Sequence, residues 1–317
     1  MAKILANDGI SKVGIEKLEA AGFEVITTKV AQEQLISFIT KNTIDALLVR
    51  SATEVRKDLI DSCNSLKLIG RGGVGMDNID VAYAKSKDIH VINTPAASSE
   101  SVAELVFAHL FSGVRYLYDA NRNMPLEGDS NFKKLKKSYS GGSELRGKTL
   151  GIIGFGRIGQ ATAKIALGIG MQVIFTDFQI ENIDLKLDFY NGQSVDFKLK
   201  NSSLDELLKK SDFISLHIPA QKEYVIAKDE FSKMKDGVGL INASRGGTVD
   251  EVALIDAIDN GKVAFAGLDV FESEPKPEIK ILMHPHISLT PHIGAATKEA
   301  QDRIGLELAD QIIKLLK

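Results

Sequence analysis

The chain has 317 residues, of which 44% are hydrophobic and 26% charged, and its formal net charge is −3. This length and balance are typical of a globular protein of about two domains, and the small negative charge excludes a strong general attraction to nucleic acid or anionic membranes. The single cysteine, Cys63, cannot form an internal disulfide, which favours a reducing compartment. No run of about 20 apolar residues predicts a membrane span, and Asn7 and Asp8 lie where a signal peptide needs an apolar stretch. We therefore expect a cytoplasmic protein.

Short apolar runs alternate with helical patterns in the N-terminal part of the chain. The predicted strands are Ile4–Ala6, Val25–Thr27, Ala46–Val49, Leu66–Gly70 and His90–Ile92, and the predicted helices are Lys12–Ala20 and Gln32–Lys41. Strands that are joined by helices indicate a parallel sheet covered on both faces.

A longer helix is predicted to begin at Ser101, because Ser101 and Glu104 have capping-box spacing and apolar positions continue the helical period towards Asp119. The next stretch, Asn121–Ser143, is polar and contains the lysine-rich run Lys133–Lys137, which predicts a surface loop or linker. This run lacks the interleaved aromatic residues and the basic background of a nucleic-acid site.

A second alternating series begins at Thr149. Its predicted strands are Leu150–Ile153, Gln172–Thr176, Phe213–Leu216, Val238–Ile241, Val263–Leu268 and Ile287–Leu289, and its predicted helices include Ile158–Leu167 and Leu204–Lys209. Within the series, apolar and polar residues alternate on both sides of Asn191-Gly192, which predicts a hairpin over Asp184–Lys200. An amphipathic helix over Thr297–Leu316 closes the chain.

The simplest assembly of these elements is an α/β protein with two doubly wound parallel-sheet domains. We expect residues 1–97 and 291–317 to form one domain and residues 98–290 to form the other, inserted into the first.

The second domain contains the pattern Gly154-Phe155-Gly156-Arg157-Ile158-Gly159, which follows an apolar strand and precedes a helical pattern. Glycines also occur in ordinary turns, but this context is typical of a dinucleotide-binding loop, in which the backbone and the helix N-terminus approach a pyrophosphate.

An acidic residue completes this pattern. Asp177 ends the next apolar run, at the place where a carboxylate binds the adenosine ribose hydroxyls. The same carboxylate would repel the extra phosphate of NADP, and neither Phe178 nor Gln179 offers a cation to that phosphate. The alternative is an aspartate that only caps a turn. The sequence predicts NAD as the cofactor.

Three further segments each follow a predicted strand, and they contain Arg245, Glu274 and His292. Ligands of doubly wound sheets bind beyond the carboxyl ends of the strands, so these segments should converge on the nicotinamide. Oxidation of a 2-hydroxy acid needs a base for the hydroxyl proton, a carboxylate that orients this base, and a cation for the substrate carboxylate. Each residue alone also fits a solvated loop. Together they predict a 2-hydroxy acid dehydrogenase.

A metal site is not expected. His284 and His286 lie near His292 in sequence, but no clustered cysteines or further carboxylates accompany them.

Taken together, these segments resemble the D-isomer-specific 2-hydroxyacid dehydrogenase family over essentially the whole chain. The resemblance implies a flavodoxin-like substrate domain that contains both termini, an inserted Rossmann NAD-binding domain, and a homodimer that packs through the cofactor domains. It assigns His292 as the acid–base, Glu274 as its partner and Arg245 as the substrate anchor.

The resemblance also assigns residues to the cofactor and the substrate. The implied cofactor residues are Gly154, Gly156, Arg157, Ile158, Gly159, Asp177, His217, Ile218, Pro219, Ala243, Ser244, Arg245, Asp269, His292, Gly294 and Ala295. The implied substrate residues are Arg50, Ser51, Gly73, Val74, Arg245 and His292, with the Gly72–Gly75 backbone as an anion-binding loop.

The segments Asn93-Thr94-Pro95 and Arg71–Asp77 look most like short D-3-phosphoglycerate dehydrogenases. Arg50 would then meet the phosphate, whereas Lys133–Lys137 is better explained as a solvated surface. Ala52 departs from members that have a second basic residue there. The alternatives are a hydroxypyruvate or glyoxylate reductase and, in another class, an NAD-binding corepressor that uses the fold as a partner platform.

Overall fold

The computed structural model describes residues 1–317, which form two compact units. Unit 1 contains residues 1–101 and 295–317, and unit 2 contains residues 102–294. Both boundaries between the units lie four residues further along the chain than the expected domain boundaries. The N-terminal limit falls inside a helix that contributes residues to both units, which explains why no loop-like composition marks it.

Unit 1 has an α/β architecture. Its strands are β1 (Lys3–Ala6), β2 (Glu24–Ile26), β3 (Ala46–Val49), β4 (Leu68–Arg71) and β5 (His90–Asn93). Its helices are α1 (Lys12–Ala20), α2 (Gln32–Asn42), α3 (Lys57–Ser62), α4 (Val81–Ser86), the start of α5 (Ser99–Val114), and α13 (Lys298–Leu316).

The unit 1 sheet is fully parallel, in the order β2-β1-β3-β4-β5, which is the flavodoxin-like order. Strand β3 is buried at every position, as expected for a central strand with helices on both faces. Helices α1 and α13 pack closely at Gly14 and Gly305, where an added Cβ on Gly14 would lie 2.9 Å from the Gly305 backbone. The predicted last helix is confirmed over Lys298–Leu316, and Thr297 caps it, since Thr297 Oγ1 accepts a hydrogen bond from Ala300 N.

Unit 2 repeats the alternation. Its strands are β6 (Thr149–Ile153), β7 (Gln172–Thr176), β8 (Asn182–Asp188), β9 (Ser194–Lys200), β10 (Phe213–Leu216), β11 (Val238–Asn242), β12 (Val263–Leu268) and β13 (Ile287–Leu289). Its helices after α5 are α6 (Leu117–Glu127), α7 (Phe132–Ser138), α8 (Arg157–Gly168), α9 (Leu204–Lys210), α10 (Lys228–Lys233), α11 (Glu251–Asp259) and α12 (Ile279–Met283).

The main sheet of unit 2 is parallel, in the order β13-β12-β11-β10-β6-β7. The chain moves from β6 outward to β7 and then returns to the other side of β6 at β10, so the strand order reverses between β6 and β10. Ligands of open α/β sheets bind at such a reversal, beyond the carboxyl ends of the strands. The loop that begins at Gly154 follows β6 directly and therefore lies at this point. The predicted α/β class with two doubly wound sheets is confirmed.

The predicted hairpin is also confirmed. Strands β8 and β9 pair antiparallel from Asn182↔Lys200 to Asp188↔Ser194, and the turn contains Gly192 at φ 84°. Asn191 Oδ1 accepts a hydrogen bond from Gln193 N, which stabilises the turn.

The predicted loop over Asn121–Ser143 is wrong, because α6 and α7 occupy most of it. The Tyr139 hydroxyl donates to Asp119 Oδ2 and accepts from Asn123 Nδ2, and Leu135 is buried. The residues in these contacts are far apart in sequence, so the composition of the segment cannot predict the contacts.

The predicted helix start at Ser101 is two residues late, since α5 already includes Ser99. None of the helices is both long enough and apolar enough to cross a membrane.

Candidate active site

The three segments that contain Arg245, Glu274 and His292 follow the carboxyl ends of the neighbouring strands β11, β12 and β13. His292 and Glu274 are in direct contact, with Nδ1 of the ring 2.9 Å from Oε2 of the carboxylate. Both side chains are more than a third exposed, so a small molecule can reach them. His292 has φ 54°, in the left-handed region that non-glycine residues rarely adopt, and such backbone is typical of functional positions.

The electrostatics of Glu274 favour its charged form. Burial acts to raise its pKa, but the hydrogen bond and charge of His292, the N–H of Phe271 and the positive charge of Arg245 together hold the pKa of Glu274 below its usual value. Phe271 N donates to Glu274 Oε1 at 3.0 Å, which leaves Oε2 for the histidine. The structure therefore brings His292, Glu274 and the charge of Arg245 together, as the sequence predicted.

Asn242 shapes the loop that contains Arg245. Its buried side chain donates to Arg245 O at 2.9 Å and to Thr248 Oγ1 at 3.1 Å, and it accepts from the Ser244 backbone and hydroxyl. Gly246 brings this loop against the next one, because an added Cβ would lie 1.8 Å from Phe271 O. The Arg245 guanidinium also donates to Ser244 O at 2.6 Å. The position of Arg245 is therefore set by close backbone contact.

A second connection between these two loops was missed by sequence reasoning. Glu251 N donates to Glu272 Oε1 at 2.9 Å, and Glu272 N donates to Glu251 Oε1 at 2.8 Å. Burial raises the pKa of Glu251, with a further rise from the charge of Glu272, while the hydrogen bond from the Glu272 backbone opposes the rise. Only the pairing of two distant segments reveals this connection.

Asp269 holds the loop that contains His292. Its carboxylate is 1% exposed and accepts three hydrogen bonds, from Thr290 Oγ1 at 2.7 Å and from the backbone N–H groups of Ile293 and Gly294 at 2.8 Å each. The resemblance assigns Asp269 to the cofactor. In the structure its first role is to fix the backbone on the C-terminal side of His292. Ala295 lies in unit 1, where its carbonyl accepts from Gln301 Nε2.

The glycine-rich loop fits a dinucleotide. Gly154 has φ 89°, and an added Cβ would lie 2.5 Å from His217 O, whereas an added Cβ on Gly159 would lie 2.2 Å from Gly154 O. Around Gly156 there is no atom within 4 Å of an added Cβ, so its outer side is open to a ligand. No side chain caps the N-terminus of α8, so its first N–H groups point towards the same open side, with Arg157 exposed beside them.

Asp177 connects strand β7 to this loop. Its Oδ2 accepts from Phe155 N at 2.7 Å, and its Oδ1 accepts from the N–H groups of Gln179 and Ile180. A carboxylate offers about four acceptor positions, so one remains on Oδ2 for a ribose hydroxyl. The hydrogen bonds from Gln179 and Ile180 are those of an aspartate that caps a turn, so this alternative is partly right. The acceptor position that remains on Oδ2 is compatible with the expected ribose contact.

His217 lies after β10 beside Gly154. Its Nε2 lies 2.9 Å from Ser215 Oγ, and its Nδ1 is buried without a partner. Burial lowers the pKa of His217 to about 3, so the ring is neutral near pH 7. Of the two residues that follow, Ile218 packs on the core of the sheet and Pro219 is exposed.

In unit 1, the expected substrate segments are organised around Asp8 and Asn78. Asp8 accepts from the backbone N–H groups of Arg50 and Thr53 and from the Thr53 hydroxyl. Asn78 donates to the carbonyls of Arg50 and Thr53 and accepts from Arg71 Nε at 3.0 Å. Val74 is 38% exposed.

Sequence reasoning missed both Asp8 and Asn78. Asn7 and Asp8 follow strand β1 directly, next to the point where the strand order reverses, and this position was the available signal. No group of three or more His, Cys, Asp or Glu side chains is arranged to hold a metal ion.

The chain is similar in sequence to known proteins. The family described as D-isomer specific 2-hydroxyacid dehydrogenase, NAD binding domain, matches residues 107–294. The chain is 42% identical to a hydroxypyruvate reductase of Thermotoga maritima, over 99% of this chain and 98% of that protein. It is 38% identical to a D-3-phosphoglycerate dehydrogenase of Bacillus subtilis, over 100% of this chain but only 57% of that longer protein.

The fold has relatives among solved structures as well. A glyoxylate reductase from Paecilomyes thermophila superimposes with a TM-score of 0.82 at 29% identity, over 99% of this chain and 95% of that one. The match of the family to most of unit 2 confirms the predicted NAD-binding domain and the predicted class of oxidoreductase. The chain therefore belongs to the D-isomer specific 2-hydroxyacid dehydrogenase family.

Proposed function

We propose that the chain catalyses the NAD-dependent interconversion of a small D-2-hydroxy acid and its 2-oxo acid, with His292 as the acid–base. The observation that carries this proposal is the 2.9 Å contact between His292 Nδ1 and Glu274 Oε2. An ionised carboxylate only accepts hydrogen bonds, so Nδ1 holds the proton and Nε2 of neutral His292 is the basic atom. The ring is thereby oriented to receive a proton from a substrate hydroxyl.

The steps at the protein groups follow from this arrangement. In oxidation, His292 Nε2 accepts the hydroxyl proton, and Glu274 stabilises the imidazolium that forms. Arg245 binds the planar carboxylate of the substrate and polarises the reacting oxygen. NAD, when bound, supplies the acceptor for the carbon–hydrogen electron pair. In reduction, protonated His292 returns the proton to the oxygen.

The residues proposed to hold the cofactor are those around Gly154, Gly156 and Gly159, with Asp177 at the ribose. The open side of Gly156 and the uncapped N-terminus of α8 support the phosphate position. The remaining residues that the resemblance assigns to the cofactor are proposed on that resemblance.

For the substrate, we infer that 3-phospho-D-glycerate is oxidised to 3-phosphohydroxypyruvate. Arg50 supports this inference, because its backbone is held by Asp8 and Asn78 while its guanidinium takes part in none of the ion pairs of the chain. A guanidinium is suited to a phosphate, which it binds through two parallel hydrogen bonds. Ser51, Gly73 and Val74 complete the proposed substrate set.

Hydroxypyruvate is the second candidate. The relative from Thermotoga maritima that matches over 98% of its own length is named a hydroxypyruvate reductase. Hydroxypyruvate lacks the phosphate, so the two candidates differ in whether Arg50 contributes to binding.

We further propose a homodimer that forms through unit 2. Large apolar side chains on α5, α6 and α7 are exposed in the single chain, and these are Phe111, Leu117, Met124, Leu126 and Phe132. Exposed apolar side chains on three consecutive helices support a protein–protein contact there. The dimer and the cytoplasmic location stay predictions.

The proposed function is tested by a substrate panel read through NADH absorbance. The panel contains 3-phospho-D-glycerate and D-glycerate for oxidation, and 3-phosphohydroxypyruvate, hydroxypyruvate and glyoxylate for reduction. We expect the highest kcat/KM with a phosphorylated acid and with NAD rather than NADP. Turnover confined to unphosphorylated acids would favour the second candidate. No turnover with any acid, by protein that binds NADH, would reject the enzymatic proposal and favour a corepressor-type role.

A further inference from the structure

His109 is a buried histidine that the mechanism does not use. It lies on α5, is 2% exposed, and contacts two hydroxyl groups. Nδ1 is 2.9 Å from Ser288 Oγ, and Nε2 is 3.0 Å from Thr290 Oγ1. Both hydroxyls belong to the segment that runs along β13 towards His292.

The sheet has a built-in space for this ring. Gly267 in β12 lies directly beneath His109, and an added Cβ would lie 2.6 Å from His109 Cβ and 2.8 Å from its Cγ. Any larger residue in β12 at this position would displace the ring. Burial lowers the pKa of His109, although the charge of Asp269 acts in the opposite direction, so the ring is neutral near pH 7.

The number of available protons determines which group donates in each of these hydrogen bonds. The hydroxyl proton of Thr290 is donated to Asp269 Oδ1 at 2.7 Å, so it is not available to His109. His109 Nε2 must therefore carry the ring proton and donate it to Thr290 Oγ1. A neutral ring has one such proton, so Nδ1 is unprotonated and accepts from the Ser288 hydroxyl. The series runs from Ser288 through His109 and Thr290 to Asp269.

We propose that His109 and Thr290 are positioning residues that hold His292 in its reactive orientation through Asp269. Asp269 accepts from Ile293 N and Gly294 N at 2.8 Å, which are the two peptide groups immediately after His292. With Thr290 and His109 in place, the Asp269 carboxylate has one orientation, and the backbone of the His292 loop has one conformation. This inference rests on the proposed function, in which His292 transfers the proton.

The removal of this support should lower kcat more than it weakens cofactor binding. Misplacing reacting groups by about 1 Å costs about 10²-fold in rate, and a loosened loop should cost about tenfold. The glycine loop and Asp177 lie in other segments, so NADH should still bind, and its Kd should rise by a smaller factor than that by which kcat falls.

Two matched pairs of variants test the proposal. Thr290→Val removes the hydroxyl at nearly constant shape, whereas Thr290→Ser retains it. His109→Asn places an amide near the position of Nδ1 and loses the donor to Thr290, whereas His109→Gln places an amide near the position of Nε2 and can retain that donor. We expect about tenfold lower kcat for Thr290→Val and His109→Asn, with most of the activity recovered in Thr290→Ser and His109→Gln.

A second readout is independent of turnover. Amide hydrogen exchange at Ile293 and Gly294 should accelerate about tenfold in Thr290→Val and remain near the wild-type rate in Thr290→Ser. In the wild type, nitrogen chemical shifts should show His109 protonated at Nε2 at pH 7.

The proposal is overturned by unchanged kcat per folded molecule in both Thr290→Val and His109→Asn, by unchanged exchange at Ile293 and Gly294, or by an Nδ1-protonated ring. A loss in thermal stability with normal kcat would likewise reduce His109 to a packing residue. If the wild type turns over no substrate, the proposed function fails, and amide exchange alone then decides whether the series fixes the loop.

Discussion

The loops that contain the proposed site residues differ between unit 2 and unit 1. In unit 2 side chains are held in place, and in unit 1 only the backbone is. In unit 2 the reacting side chains themselves have fixed partners: His292 contacts Glu274, and Arg245 lies in a loop pinned against Phe271. In unit 1, Asp8 and Asn78 hold the backbone N–H and C=O of Arg50, but its guanidinium takes part in none of the ion pairs of the chain.

This difference between fixed and adjustable side chains corresponds to the difference between proton transfer and substrate binding. Proton transfer requires geometry within about 0.5 Å, so the acid–base must be oriented before the substrate arrives. A binding side chain can adjust to its ligand, at some cost in conformational entropy. The comparison therefore predicts large losses in kcat from changes of the reacting side chains in unit 2 and substrate-dependent changes in KM from changes of Arg50 in unit 1.

The largest effect is expected from His292→Asn. This change removes the basic Nε2 atom, and general acid–base catalysis typically supplies about 10²–10⁴-fold, so kcat should fall by that factor. NADH should still bind, because the glycine loop and Asp177 are unaffected, and fluorescence titration checks this. Near-normal turnover by folded His292→Asn would refute the proposed mechanism.

The next effect concerns Arg50→Ala. A hydrogen bond to a charged group contributes about 1.5–3 kcal/mol, so KM for 3-phospho-D-glycerate should rise about 10- to 100-fold with little change for D-glycerate. Arg56→Ala is the matched control, because Arg56 is an arginine of the same unit that already pairs with Glu54 and Asp80. Equal losses for both acids would contradict the assignment of Arg50 to the phosphate.

A smaller effect is expected from Asp177→Ala in unit 2. Loss of the carboxylate removes the expected ribose contact and the repulsion of a 2′-phosphate, so KM for NAD should rise about tenfold while KM for NADP falls. The ratio of kcat/KM for the two cofactors measures this. If the wild-type protein uses both cofactors equally well, Asp177 does not select NAD.

The smallest effect is a change in the pH dependence of stability. His217 has a pKa of about 3 in the folded chain and about 6.5 when unfolded, so below pH 6.5 the unfolded state binds more protons. The contribution of neutral His217 is fully present above pH 6.5 and is lost at about 1.4 kcal/mol per pH unit as the pH falls towards 3.

His217→Gln should remove this slope, as measured by urea unfolding at pH 7 and pH 5.5. His90→Gln, the same change at an exposed histidine of unit 1, is the matched control. If the His217→Gln and wild-type slopes coincide, the ring of His217 is not held neutral by burial.

The sequence by itself determined the features that depend on local pattern. Strand β3 is a continuous apolar run, Asn191-Gly192 marks the turn of the hairpin, and Gly154 and Gly159 mark a loop in which an added Cβ would meet backbone oxygen atoms. The residues Arg245, Glu274 and His292 were identifiable because each follows a strand of one parallel sheet, and parallel strands end at the same edge.

Only the tertiary structure decided which residues support those groups. Asp269 and Thr290, Glu251 and Glu272, and Asp8 and Arg50 are pairs whose members are separated by many positions, and no periodicity connects them. The segment of α6 and α7 likewise has a long-range contact, between Tyr139 and Asp119, that its composition does not indicate. A hydrogen bond between distant segments forms only after the sheet has brought them together. Neither segment alone therefore predicts the hydrogen bond or its contribution to stability.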